Sequence, residues 1–215
     1  MRRSLALPVM TLGTMCACAE IIDRIAVTVD RLVITRAELA RHVRVAGLLN
    51  GEAAIVNPES LRAGAERMIE LVLIRREMAL SRFAEPAMTE IEPILAKVKQ
   101  EGSASASWET LLRRHEVSEE EVRESLLAQL TTLRFVRIRF RPAVAIEERE
   151  IERYYREKFA PETKPGGNRE TTSLEDARDQ IELLLTEQKI DQALDQWLAQ
   201  ARRQVRVTYR AEAFQ

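Results

Sequence analysis

The chain has 215 residues, 31% of them charged and 5% aromatic, with a formal net charge of −1. That balance excludes a binder of nucleic acid by bulk positive charge and suits helices with long solvated faces. Both cysteines, Cys16 and Cys18, lie near the N-terminus, so the rest of the chain has no disulfide scaffold, thiol nucleophile or thiolate metal site.

Residues 1–19 read as a cleavable secretory signal peptide. Arg2 and Arg3 form its positive region, Leu5 to Met15 its short apolar region and Ala17-Cys18-Ala19 its cleavage site, so the mature chain starts at Glu20. Export from the cytoplasm is therefore expected. An acyl anchor on Cys18 is the minor alternative, because Met15 and Cys16 fit the upstream positions of a lipoprotein signal poorly. No later segment offers the roughly 18 apolar residues of a membrane span, so no permanent span is expected.

Ile25, Val27 and Val29 alternate with Ala26 and Thr28, and Leu32 to Ile34 form a second β-branched run. Asp30-Arg31 between them predicts a two-residue hairpin loop. Thr35 and Glu38 then have the spacing of a capping box, which opens a helix over Arg36 to Leu49 with Leu39, Val43 and Ala46 on one stripe. Asn50-Gly51 ends it. Asn57 as N-cap and Pro58 at N1 start a second helix that runs through Leu80 towards Phe83. Its middle, MIELVLI, is apolar on most faces, which predicts deep burial or a contact surface.

Thr89 and Glu92 have capping-box spacing before a third helix over Glu90 to Gln100. The small-residue run GSASAS follows. Ser107 caps a short helix over Trp108 to His115. Ser118 and Glu121 then open a long helix with Val122, Leu126, Leu130 and Leu133 inward, which Pro142 stops after Phe140. A sixth helix covers Glu147 to Phe159. The stretch APETKPGGNRETTS reads as a linker or exposed loop. Ser173 with Asp176 starts the last helix, which continues to Arg203 and is lined by Ala177, Ile181, Leu184, Leu185, Trp197 and Leu198. Val205, Val207 and Tyr209 alternate with Arg206 and Thr208 as a closing strand.

A lone hairpin is marginal in water, and this closing strand is its available partner. The predicted fold is therefore mainly α, a helical core with a small β-sheet formed by the N-terminal hairpin and the C-terminal strand.

These elements, in this order, resemble the SurA-type periplasmic chaperones and their parvulin-type peptidyl-prolyl isomerase relatives. The matching residues are IIDRIAVTVDRLVITRAEL, MIELVLIRREMAL, SWETLLRRHEVSEEEVRESLLAQL, EEREIERYYREKF and IELLLTEQKIDQALDQWLAQARRQVRVTY. The resemblance implies a chaperone domain over 20–160. It also implies a C-terminal helix and strand over 174–215 that pack back on that domain. In the family a parvulin domain usually stands between the two. Here a linker over 161–173 takes its place, too short for that βα fold. The family's active-site histidines belong to the missing domain, so nothing carries over to His42 or His115. Both read as solvated or interface groups.

The implied function is an ATP-independent periplasmic chaperone that holds unfolded polypeptides, outer-membrane protein precursors above all, in an apolar cleft. Met68, Leu71, Met78 and Phe83 are the candidate client-binding residues, since methionine-rich apolar surface adapts to varied partners. Ordinary core packing is the competing reading, and periodicity does not separate the two. Arg134, Arg137, Arg139 and Arg141, interleaved with Phe135, Ile138 and Phe140, read either as an anion-binding patch or as the cationic end of a helix. No catalytic residue, metal or cofactor is expected. The alternative functions are a peptidyl-prolyl cis–trans isomerase, against which the missing domain argues, and a helical adaptor with one dedicated partner.

Overall fold

The computed structural model describes residues 23–102, 106–159 and 173–215. The expected signal peptide, residues 103–105 of the run GSASAS and all of the expected linker except Ser173 lie outside the described residues.

Strands β1 (Ile25–Val29) and β2 (Leu32–Thr35) form the hairpin. Asp30 takes the positive φ of 53° that a tight turn needs, a conformation in which Asp is among the better-tolerated residues. Val27 faces Ile34, Thr28 faces Val33 and Val29 faces Leu32. Strand β3 (Val207–Tyr209) lies antiparallel to β1 on its other side, so the sheet order is β2-β1-β3 and the first and last strands described share one sheet. β3 is shorter than the expected strand because Arg206 is engaged with the hairpin turn. The Asp30 N–H donates to the Arg206 carbonyl at 2.8 Å, and the Arg206 N–H donates to Asp30 Oδ1 at 2.9 Å.

Helix α1 (Arg36–Asn50) opens with the expected capping box. The Thr35 N–H donates to Glu38 Oε2 at 2.8 Å and the Glu38 N–H donates to Thr35 Oγ1 at 3.2 Å. Its buried residues are Leu39, Ala40, Val45, Gly47 and Leu48, a broader surface than the predicted stripe. Val43 and Ala46 are only half-buried. The helix has neighbours on several sides, including α2 (Pro58–Leu80), α4 (Trp108–His115) and α5 (Glu119–Phe140), so no single stripe describes it.

The third helix departs from its predicted start. A 3₁₀ turn, Met88–Ile91, leads into α3 (Glu92–Gly102). The Thr89–Glu92 cap does not form. Glu90 instead accepts from the Ala87 N–H at 2.9 Å, while Glu92 pairs with Arg123 of α5. The sixth helix is also divided, into α6 (Glu148–Tyr154) and a π-type turn, Tyr155–Phe159. Helix α7 (Leu174–Arg203) is the longest of the described helices.

The core follows this arrangement. Val27, Val29, Ile34, Leu39, Leu61 and Ile69 are buried with Ala213 and Phe214 of the C-terminal 3₁₀ turn, and Trp197, Leu198 and Ala201 of α7 pack against them. Ile91, Leu95, Trp108, Val122 and Leu126 form a second group at the other end of α1. Phe135, Val136 and Phe140 of α5 meet Ile190, Leu194 and Trp197 of α7, with Ile74 and Met78 alongside. Ile151 of α6 packs on Ala177 and Ile181. Full burial of each large apolar side chain in these groups stabilises by about 1.5–3 kcal/mol. No helix among the described residues is long and apolar enough to cross a membrane.

Candidate functional site

Helices α2 and α5 leave a crevice between them, and the four candidate client-binding residues fall along it. Met78 and Phe83 line a hollow of 550 Å³ together with Leu127, Ala128 and Thr131. Met68 and Leu71 line a smaller hollow of 230 Å³ with Val45 and Val72. Both hollows touch Arg75, Glu124 and Ala128, so they are neighbours along one seam.

The floor of the larger hollow is apolar for a local reason, whereas Glu38, Arg41, His42 and Glu121 also line the smaller one. The Thr131 and Thr132 hydroxyls donate back to the Leu127 and Ala128 carbonyls, at 2.7 and 2.8 Å. This satisfies the polar end of each threonine within the helix. Arg75, Glu85 and Glu124 stand among the lining residues, so charge of both signs surrounds the apolar floor.

The core-packing reading and the site reading meet in these residues. Met78 is buried beside Ile74 and Phe135. Phe83 is half-buried and meets Phe135 edge-on, with ring centroids 5.5 Å apart at 82°. Met68 and Leu71 are half-buried. Met68, Met78 and Phe83 thus present part of their surface to the crevice and part to the core.

The two histidines stand on different helices. His42 of α1 is half-buried, and burial together with the Arg67 charge lowers its pKa. His115 ends α4 and is buried, with Nδ1 lacking a hydrogen-bond partner. Burial is the main cause that lowers its pKa, with Arg114 adding to it and a hydrogen bond to the Arg44 backbone opposing it.

The arginines at the end of α5 are engaged by the protein itself. Arg134 pairs with Glu90 at 2.6 Å, Arg137 with Glu187 at 3.0 Å and Arg139 with Glu77 at 3.3 Å. Arg141 donates to the Val144 carbonyl at 3.1 Å. Phe135 and Phe140 are buried, whereas Ile138 is 66% exposed.

A further hollow does not coincide with any expected site. It is a trough of 680 Å³ between the end of α5 and α7, lined by Ile138, Pro142, Leu183, Thr186 and Ile190 among others. On α7 its residues follow the helical spacing Asp179, Leu183, Thr186, Ile190, a second stripe that the sequence pattern carries beside the one facing α6.

No protein-family model matches this chain, and no curated protein matches it.

Proposed function

We propose that this protein is an ATP-independent chaperone of the periplasm, which holds unfolded polypeptides, outer-membrane protein precursors above all, by their apolar side chains. The observation that carries this reading is the α2–α5 crevice, where Met68, Leu71, Met78 and Phe83 line two adjoining hollows. The larger one, at 550 Å³, falls within the range of about 300–1,000 Å³ typical of ligand pockets. The ordered resemblance to SurA-type chaperones supports the same reading.

Flexible thioether side chains accept apolar groups of many shapes, which suits a holder of diverse chains. Binding the unfolded form keeps its apolar segments from one another and so suppresses aggregation, and it needs no nucleotide.

The test is light scattering of a denatured outer-membrane protein diluted into the full chain. Scattering should fall as chaperone is added. Ala79 is exposed and lines the larger hollow, so Ala79→Arg should block its mouth, leave the fold intact by circular dichroism and weaken suppression several-fold. Undiminished aggregation at several-fold molar excess of the parent protein refutes the proposal.

A further inference from the structure

We propose that the trough between α5 and α7 is a polypeptide-docking site for an extended segment in which a large apolar residue and a basic one stand two positions apart. This inference does not rest on the chaperone reading.

The apolar part of the trough is open. Ile190 and Thr186 are buried at its floor, while Ile138 and Leu183 are 66% and 60% exposed on its two sides. An apolar side chain placed between Ile138 and Leu183 would remove exposed apolar surface on both partners from water, at about 25 cal/mol per Å².

The charge on the α7 side of the trough is negative. On the α5 side, Arg137 is paired with Glu187, and Arg141 keeps its positive charge while donating to the Val144 carbonyl. On the α7 side, Asp179 and Glu182 are exposed, and among the described residues neither is in an ion pair. The trough therefore offers two carboxylates beside an apolar floor. Along α7 this complements a cation better than an anionic headgroup or an acidic peptide.

Spacing selects the form of the occupant. Asp179 and Leu183 are four residues apart on α7, about 6 Å along the axis at 1.5 Å per residue. In an extended chain, side chains two residues apart share a face at about 6.6 Å. An apolar residue on Leu183 thus places the side chain two positions away beside Asp179, with Glu182 one residue from Leu183. A second copy of this chain fits less well. It would bring its own Asp179 and Glu182 to the interface, and a trough for one or two side chains falls short of the ~800 Å² per partner that a stable dimer buries.

Fluorescence anisotropy with dye-labelled peptides tests the proposal on the full chain. A peptide of Leu-Ser-Lys repeats should bind saturably, and Leu-Ser-Glu or Ser-Ser-Lys repeats about tenfold more weakly or not at all. Leu183→Ser and the double variant Asp179→Lys with Glu182→Lys change exposed positions, so circular dichroism should show an unaltered fold. Each should weaken the Leu-Ser-Lys peptide about tenfold, while Ala79→Arg in the crevice leaves it unchanged. Equal binding of the acidic peptide overturns the proposal, as does insensitivity to both trough variants. Loss of binding with Ala79→Arg assigns the peptide to the crevice and overturns it too. A dimer by sedimentation that Leu183→Ser dissociates gives the trough to a second copy, which also overturns it.

Discussion

Glu119 shows how much of this fold hangs on single side chains. It stands at the start of α5 and accepts from the Trp108 indole N–H at 2.8 Å, Lys99 Nζ at 2.7 Å and Arg123 at 3.0 Å. One carboxylate thereby ties α3, α4 and α5 together. Lys99 foremost, then Trp108 and Arg123, pull its pKa down from 4.5 to about 2. The stabilisation is complete above pH 4.5 and drains as pH falls towards 2, because the unfolded chain takes up the proton first. Glu119→Ala leaves the indole N–H without its acceptor and should cost about 1–3 kcal/mol in urea denaturation near neutral pH. Glu119→Gln keeps an acceptor for Trp108 and should recover part of that loss. His115 has its pKa lowered by burial, so the folded protein resists the proton that the unfolded chain accepts below 6.5. Stability is full above that value and declines as pH falls below it. Replacing His115 with Leu should flatten the fall in denaturation midpoint between about pH 7 and pH 5. His42 shifts in the same direction and should retain part of the slope. A variant with the parent's full slope would show that His115 plays no part.

At the scale of elements, the caps were readable because a side chain and a backbone N–H three residues apart are within reach through local geometry alone. Thr35 with Glu38, Ser118 with Glu121 and Ser173 with Asp176 all close as their spacing predicts. Thr89 with Glu92 had the same spacing and did not close, because Glu92 is drawn to Arg123, a residue distant in the chain but adjacent in space. The arginines of α5 follow the same logic. Their sequence pattern left an anion patch and a cationic helix end both open, and the carboxylates of Glu90, Glu77 and Glu187 come from three other segments. Leu133, expected inward, is 50% exposed, while Thr131 and Val136 are buried. Helical periodicity identifies an apolar face but not which neighbours cover which end of it. The candidate site was legible to the same extent: Met68, Leu71, Met78 and Phe83 could be named, but the hollows they line exist only where α5 packs beside α2.

The described part of the molecule is closed by its first and last strands. The central strand β1 has one partner from the hairpin and one from the last residues of the chain. Asp30 at the hairpin turn holds the Arg206 backbone and also pairs with Arg76 of α2 at 3.0 Å. Arg36 Nε donates to the Ala213 carbonyl at 3.0 Å. Arg202 of α7 donates to the Tyr209 hydroxyl at 2.7 Å and pairs with Glu66 of α2 at 2.9 Å, and that hydroxyl in turn donates to Glu66. Beneath these contacts Ala213 is 0% and Phe214 3% exposed in the same core as Val27 and Leu39. The C-terminal residues therefore belong to the N-terminal core and form no separate appendage. Phe214→Ala should cost about 3–5 kcal/mol. Removal of residues 204–215 should deprive β1 of its second partner and Asp30 of its backbone contacts, so that the hairpin, α1 and α2 lose their cooperative transition together. Urea denaturation followed by circular dichroism, with hydrogen exchange of the β1 amides as a local probe, checks both outcomes. If the truncated chain keeps an unshifted transition and full protection of Val27 and Val29, the closure by the chain ends is decorative and the core stands without it.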